Sequence, residues 1–183
     1  MNMPRVLLQI AFAVMLVGGA AVQGAPPAAS AGTAGKDVGL VAHWSMDEAS
    51  GKIVKDRIGG DNNGRLHGKP SATLVKGLIG SHSLEFTAAD QAISGSDVGF
   101  PAGLSAGSVS LWFNRPHGIT DKVLFCYGSS QPGRGRGLWL VDGDTLAFYN
   151  FTSQPPDLFA DIAGGITPGR WHQVVATYDG ETA

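Results

Sequence analysis

Residues 170–180 read Arg-Trp-His-Gln-Val-Val-Ala-Thr-Tyr-Asp-Gly, and this stretch decides the fold. It is rich in β-branched and aromatic residues, follows Pro168-Gly169 and closes on the turn pair Asp179-Gly180, a combination that predicts a β-strand. Because one side of the strand is mostly apolar, we expect it to lie inside a sheet and to be covered on at least one face. The apolar side holds His172, Val174, Ala176 and Tyr178, and the mixed side holds Trp171, Gln173, Val175 and Thr177.

The rest of the chain repeats this pattern in short apolar runs separated by many of its 27 glycines and 10 prolines. No run longer than a turn or two has a 3.6-residue period, so the chain is predicted to be nearly all strand and loop. Asp142-Gly143-Asp144 separates two runs and predicts a tight hairpin turn. Alternation of apolar and polar residues begins at Leu40, and the residues on its apolar side are Leu40, Ala42, Trp44 and Met46. The later predicted strands are 65–67, 72–76, 83–86, 91–94, 108–114, 122–127, 137–141, 145–151 and 158–162.

The first 24 residues have the pattern of a secretory signal peptide. Arg5 precedes an apolar run over 6–17 that only Gln9 interrupts, and small residues follow. This run is too short for a spanning helix, although a retained membrane anchor is the alternative. Residues 25–37 are rich in Pro, Ala, Ser and Gly and predict a flexible linker, which leaves 38–183 as one domain. We therefore expect a secreted protein, periplasmic or at the cell surface, with no membrane contact after cleavage.

Charge and cysteine content exclude several classes of protein. With a net charge of -2 and only 15% charged residues, the chain has no basic surface for nucleic acid or an anionic membrane. Cys126 is the single cysteine, so no disulfide can form within the chain. It lies in the apolar run 123–127, where we expect a small buried side chain.

Four motifs, in this order, resemble the laminin-G-like domains of the concanavalin A-like lectin/glucanase superfamily. They are an opening strand and turn at 40–51, an Asp/Gly/Asn loop at 56–64, the strand 108–113 with its Trp-Phe end, and 170–180. The resemblance covers 40–182 and implies an all-β fold, an antiparallel two-sheet β-sandwich of the jelly-roll type. In the resembled domains further strands follow the last motif, so we expect this domain to be truncated at its C-terminus.

The resemblance also implies non-catalytic carbohydrate binding. Sugars stack on aromatic faces that a few polar groups support, and the candidates for this role are Trp112, Trp139 and Tyr149, with Phe151 and Asn114 beside them. Trp112 shares its side of the strand with Asn114 and two serines, so it is expected to face a polar surface. The alternatives are that these tryptophans fill the core, as predicted for Trp44, and that the domain is a structural or protein-interaction module of a secreted surface protein.

A glycoside hydrolase is the third hypothesis, because the same superfamily contains such enzymes. Retaining hydrolysis requires two carboxylates about 5 Å apart. The glucanases of this fold carry them in an E-x-D-x-x-E strand, whereas this chain has only Glu48, Glu85 and Glu181, which are far apart in the sequence. The chain is therefore predicted not to be an enzyme, and a carbohydrate or an extracellular protein is the expected partner.

The loop after the first motif is the candidate metal site. Its oxygen-bearing side chains Asp56, Asp61, Asn62 and Asn63 lie among glycines. Calcium accepts such oxygens, although its six or more ligands would require further loops. The alternative is an ordinary tight turn, since turns use the same residue types. Calcium is thus the only cofactor that the sequence suggests.

Overall fold

The computed structural model describes residues 6–9, 39–48, 51–59, 61–68, 73–101, 105–118, 120–129, 131, 134–149, 158–162 and 164–181, and of 6–9 and 73 only the backbone. Every regular element in these ranges is a β-strand. The same ranges contain no helix of the length and apolar character needed to cross a membrane. The prediction of an all-β fold is therefore confirmed for the described residues.

Twelve strands are present in the described ranges. They are β1 (Val6–Gln9), β2 (Ile53–Val54), β3 (Gly64–His67), β4 (Thr73–Lys76), β5 (His82–Phe86), β6 (Ala92–Ser94), β7 (Gly107–Asn114), β8 (Lys122–Gly128), β9 (Gly135–Val141), β10 (Thr145–Tyr149), β11 (Leu158–Asp161) and β12 (Trp171–Tyr178). The strands predicted between residues 65 and 162 all appear, with ends that differ by at most two residues, except that 72, 150 and 151 lie outside the described residues.

The described strands form three sheets with the orders β12-β7-β1-β5-β4, β11-β10-β9-β8 and β2-β3-β6. All their pairings are antiparallel. One hydrophobic core receives side chains from all three sheets. Its buried members include Val54, Leu66, Leu84, Val109, Leu111, Phe113, Leu124, Leu138, Leu140, Leu146, Phe148 and Tyr178. Antiparallel sheets that bury alternate residues in this way have one face on the core and the other toward solvent.

The longest pairing joins β12 to β7, from Tyr178 opposite Gly107 to Trp171 opposite Asn114. Tyr178 is only 1% exposed and the other residues of its side are partly buried, so the predicted covered face is confirmed. The prediction that this strand lies inside a sheet is wrong for the described strands. β12 is the first strand in its sheet, because β7 is its only described partner.

Two arginines connect the sheets at the margins of the core. The guanidinium of Arg136 on β9 lies 4.8 Å from the ring centroid of Tyr178 on β12, a cation–π contact between two sheets. Arg115, which follows β7, donates from Nη2 to the Ile166 carbonyl at 2.7 Å and to Asp144 Oδ1 at 3.1 Å. Asp144 lies in the turn between β9 and β10, so this arginine connects the end of β7 to that hairpin.

The opening segment follows its predicted alternation but does not form the predicted strand. Ala42, Trp44 and Met46 are buried, so the prediction of Trp44 as a core residue is confirmed. The segment is not a strand, because only an isolated bridge joins Trp44 to Asp56. Met46 has a φ of 59°, a left-handed conformation that ends the extended backbone.

The predicted hairpin turn is confirmed. Asp142 (φ 52°) and Gly143 (φ 80°) are both left-handed, and Val141 pairs with Thr145 across the turn between β9 and β10. Glycine adopts this backbone without a steric penalty, and Asp tolerates it better than most residues. The local Asp-Gly signal was therefore sufficient to predict this connection.

The N-terminal segment takes part in the fold. β1 lies between β5 and β7 and pairs with both, although Val6–Gln9 belongs to the predicted signal peptide. The other residues of 1–24 and the predicted linker 25–37 lie outside the described residues. Cleavage of the signal remains a prediction.

Asp47 provides a pH-dependent connection to the start of β5. Its Oδ1 accepts hydrogen bonds from the backbone N–H groups of Ser81 (2.6 Å) and His82 (3.1 Å). Burial by itself raises the pKa of this carboxyl group. The hydrogen bonds from His82 and Ser81 and the charge of Arg57 lower the pKa by more than burial raises it, so the pKa lies below its ordinary value of 3.8. A lowered pKa in the folded state means that the carboxylate stabilises the fold above the unfolded-state value, and that this stabilisation is lost as pH falls through the folded-state value.

We expect Asp47→Ala to lower the free energy of unfolding at pH 7 by about 1–2 kcal/mol, since a charged acceptor of two backbone donors is lost. The difference from the wild type should shrink as pH falls from about 5 to below the folded-state pKa of Asp47. Urea unfolding over this pH range measures it. Asp61→Ala removes an exposed carboxylate from another loop and is the control; an equal pH dependence in both variants would contradict the assignment.

Candidate functional site

The face of the four-stranded sheet that points away from the core carries a row of aromatic side chains. Residues paired directly across antiparallel strands share a face. Leu138 and Leu140 of β9 are buried in the core, so Trp139 between them is on the opposite face. Trp139 pairs with Ala147, which pairs with Phe159, and Tyr149 lies two residues beyond Ala147 on the same face.

The three rings contact one another in sequence across the sheet. The centroids of Trp139 and Tyr149 are 4.8 Å apart at an interplanar angle of 86°, and those of Tyr149 and Phe159 are 5.6 Å apart at 86°. Both are edge-to-face arrangements, which are favourable for aromatic pairs. Phe159 is 57% exposed, and Trp139 and Tyr149 are half-buried. We call Trp139, Tyr149 and Phe159 the aromatic platform.

Small residues beneath the rings give the aromatic platform its shape. A Cβ added to Gly137 would collide with the six-membered ring of Trp139, so the indole lies directly over the glycine backbone. Ala147, between Trp139 and Phe159 in the register, is completely buried. A larger side chain at either position would lift the rings off the sheet, because there is no free space for it.

A polar pair borders the aromatic platform. Thr145 Oγ1 donates to Asp161 Oδ1 at 2.7 Å, and the two residues pair across β10 and β11. Asp161 is exposed and lies two residues after Phe159, so it shares the face of the platform. This sheet face therefore combines apolar rings with a carboxylate and a hydroxyl.

Of the four predicted ligand-binding residues, the structure brings two together and separates two. Trp139 and Tyr149 are in contact on the aromatic platform. Trp112 is half-buried on β7 of another sheet, and it pairs with Gln173. Asn114, at the end of the same strand, is buried and pairs with Trp171. Phe151 lies outside the described residues.

Trp112 lies in the polar surroundings that its strand pattern predicts. On its side of the β7–β12 pair, Gln173 Nε2 donates to Ser110 Oγ at 3.3 Å and Ser108 Oγ donates to Thr177 Oγ1 at 3.0 Å. These hydroxyl and amide groups therefore already bond one another across the two strands. The five-stranded sheet thus presents a mostly polar face, whereas the four-stranded sheet presents an aromatic one.

The predicted metal loop divides into two buried and two exposed side chains. Asp56 and Asn62 are buried, whereas Asp61 and Asn63 are exposed. Asp56 Oδ1 accepts from the backbone N–H groups of His43 (3.1 Å) and Ile58 (3.0 Å), and the Asp56 N–H donates to Asn63 Oδ1 at 2.9 Å. Asp56 and Asn63 thus hold the loop itself together, as expected for a tight turn. Trp44 Nε1 also donates to the Asn62 carbonyl at 2.8 Å.

Two oxygens of this loop have no hydrogen-bond donor. Asp56 Oδ2 and Asn62 Oδ1 are buried without a protein partner, and an isolated buried carboxylate oxygen is costly. Within the described ranges, no cluster of three or more His, Cys, Asp or Glu side chains is arranged to hold a metal. Any cation at this loop would therefore depend on Asp56, Asn62 and other oxygen donors rather than on a cluster of acidic side chains.

A cleft of about 870 Å³ lies between β6 and β8. Its walls include Phe100, Phe125 and Tyr127, whose ring centroids are 5.0–6.2 Å apart. Burial raises the pKa of the Tyr127 hydroxyl, and its O–H donates to the Pro101 carbonyl at 3.1 Å. Phe100 also packs on Trp44 of the core, so the cleft continues the hydrophobic interior and suits an apolar group better than a sugar.

The prediction that Cys126 is buried is wrong, because its side chain is exposed. Simple alternation would place Leu124 and Cys126 on the same side of β8. A register shift between Val123 and Phe125 turns both Leu124 and Phe125 toward the core, so Cys126 pairs with Gly137 on the face of the aromatic platform. Partial desolvation still raises the pKa of the Cys126 thiol.

The three glutamates lie on separate elements. Glu48 Oε1 accepts from the Lys55 N–H at 3.1 Å, Glu85 lies on β5 opposite Thr73, and Glu181 follows β12. A pair of carboxylates on one strand, as the glucanase pattern requires, is therefore not formed by these residues.

Sequence reasoning missed Phe159, Thr145 and Asp161. The predicted strand 158–162 includes Phe159 and Asp161, but their position beside Trp139 and Tyr149 follows from the pairing of β11 with β10. Comparison with known proteins adds no family, since no protein-family model, curated protein or solved structure matches this chain.

We expect Gly137→Ala to displace the Trp139 indole, because the added methyl group would occupy the position of its ring. The near-ultraviolet circular dichroism of the Trp139–Tyr149 pair should weaken, while the far-ultraviolet β-sheet signal should persist. Gly59→Ala is the matched control, since its Cβ would meet only Asp61 Oδ2 at 3.9 Å. An unchanged near-ultraviolet spectrum in Gly137→Ala would contradict the packing of Trp139 on this glycine.

Proposed function

We propose that this chain is a non-catalytic recognition module that binds carbohydrate on the aromatic platform. The observation that supports the proposal is the contact of Trp139 with Tyr149, and of Tyr149 with Phe159, on a sheet face that the core does not use. Sugars present apolar C–H faces that stack on aromatic rings, whereas their hydroxyl groups require polar partners at the edge. Asp161 and Thr145 lie where such hydroxyl groups would reach them.

The proposal includes the finer fold and the location. Two larger antiparallel sheets with a common core favour a two-sheet β-sandwich of the laminin-G-like, jelly-roll type. The pattern of the first 24 residues favours secretion to the periplasm, the cell surface or the medium. Because fold does not determine function, the ligand is inferred from the aromatic platform and not from the fold.

An extracellular protein is the second candidate partner, and a specific observation favours it. Val123, opposite Trp139 in the register, is 52% exposed and extends the apolar surface of the platform toward β8. Contiguous exposed apolar surface is typical of protein-interaction sites. The same sheet face would then bury Val123 and Phe159 against a partner protein.

A glycan array with the wild type and three variants tests the proposal. We expect Trp139→Ala and Phe159→Ala to lower sugar binding by about fivefold to thirtyfold, because each removes a stacking surface worth about 1–2 kcal/mol. Trp112→Ala removes a tryptophan from another sheet and should leave binding within about twofold. Equal losses of sugar binding in all three variants would contradict carbohydrate binding at the platform, and so would a wild type that binds no sugar on the array. Capture of a surface protein that Phe159→Ala abolishes would favour the protein-interaction module.

We also propose that the loop of Asp56 and Asn62 binds calcium. Its support is the pair of buried oxygens, Asp56 Oδ2 and Asn62 Oδ1, that have no protein donor, since a hard cation prefers such ligands. When bound, calcium would neutralise the buried carboxylate and stabilise the loop against Trp44. Asp61 and Asn63, which are exposed, would have a smaller part than the sequence pattern suggests.

Thermal unfolding with and without millimolar calcium tests this site. We expect calcium, and not an equal concentration of magnesium, to raise the melting temperature by several degrees through preferential binding to the folded state. Asp56→Asn should abolish the increase, whereas Asp61→Ala should retain most of it. No shift in the wild type, or a shift that Asp56→Asn retains, would exclude calcium at this loop.

A further inference from the structure

The position of β1 conflicts with the predicted fate of its residues. Val6–Gln9 forms a strand between β5 and β7, with three pairs on each side, yet it belongs to the predicted signal peptide. The same folded molecule cannot both lose this segment and keep the sheet as it stands. Cleavage therefore leaves a slot, one strand wide, in the middle of the five-stranded sheet.

The edges of this slot are unfavourable when empty. Backbone N–H and C=O groups along Leu84–Phe86 and Trp112–Asn114 would lose their strand partner. Leu84 and Phe113, which flank the slot at the same register position, are each 1% exposed and belong to the core. Water entering the slot would reach both side chains, so loss of the strand opens the core as well as the sheet.

Simple closure of the slot does not restore the sheet. β1 is antiparallel to both β5 and β7, so these two strands are parallel to each other. With β1 between them they are about 9.6 Å apart, which is two strand spacings. Direct pairing would require a shift of that size in one sheet edge and a parallel hydrogen-bond pattern in an otherwise antiparallel sheet. An inserted antiparallel strand satisfies both edges without such a change.

We propose that the slot between β5 and β7 is a strand-acceptor site. Val6–Gln9 fills it in the unprocessed chain, and after cleavage it binds an extended segment of another polypeptide that runs antiparallel to both strands. Backbone hydrogen bonds on two sides provide the affinity, and the side chains on the core face provide selectivity. The site is on another sheet than the aromatic platform and is independent of carbohydrate binding.

The register specifies the chemistry of the inserted segment. Its central position lies between Leu84 and Phe113 on the core side and requires an apolar residue. The preceding position lies between Glu85, which is partly exposed, and Asn114, which is buried and polar, so a polar or basic residue is tolerated there. The expected donor is therefore an extended peptide with an apolar centre and no proline, since proline cannot complete the ladder.

The experiment uses the full chain, so that folding occurs with β1 in place. A protease recognition sequence is inserted in the predicted linker 25–37, and the folded protein is then cut. A fluorescent peptide with the sequence of residues 5–12 is added in excess. We expect it to exchange into the cut protein with a stoichiometry of one and not to bind the uncut protein.

Two peptide variants form the matched control. Leu8→Asp places a charge at the position between Leu84 and Phe113, and it should weaken binding by about a hundredfold or more, because an unpaired charge would be buried. Leu7→Lys changes the position beside Glu85 and should bind within about threefold of the original peptide. Equal binding of the two variants would overturn the register and with it the acceptor site.

The melting temperature of the cut protein distinguishes the remaining outcomes. If release of the fragment lowers the melting temperature of the cut protein, and added peptide restores it, the slot is an acceptor. The same conclusion holds if the protein unfolds when the fragment leaves and refolds on addition of the peptide. A cut protein that loses the fragment, keeps its melting temperature and ignores the peptide would overturn the proposal.

Discussion

Burial of alternate side chains in one core is the constraint on which the rest of this structure depends. β7 shows it most clearly, since Val109, Leu111 and Phe113 are in the core while Trp112 is on the other face. A slip of one residue in its pairing with β12 would exchange these faces and expose the core residues. The eight paired residues of β12 and β7 oppose such a slip together with the Arg136–Tyr178 contact, which ties β12 to another sheet.

The candidate binding surface follows from the same constraint. Because the core takes one face of the four-stranded sheet, Trp139, Tyr149 and Phe159 lie together on the other. Gly137 and Ala147 add no bulk beneath the rings, so the sheet supports a flat aromatic surface and still packs its inner face. A rigid sheet also holds the rings in place at a small entropic cost, which favours ligands that bind by stacking.

The position of β1 links the proposed export of the chain to its folding. An apolar, extended N-terminal segment suits a targeting signal, and the same apolar character suits the middle of a sheet. A chain that folds before cleavage would use this segment as a strand, whereas a chain that is cleaved first would fold with the slot vacant. If the predicted signal is cleaved, the order of cleavage and folding would decide which form of the five-stranded sheet is present.

The sequence by itself determined the all-β class, most strand positions, the hairpin at Asp142-Gly143 and the burial of Trp44, because each depends on local alternation or local turn chemistry. Only the tertiary structure decided the edge position of β12, the insertion of β1, the exposure of Cys126 and the meeting of Phe159 with Trp139 and Tyr149. These features depend on strand order and register, which are set by contacts between residues far apart in the chain. A pattern with a period of two residues states which side chains share a face, but not which strand lies beside them.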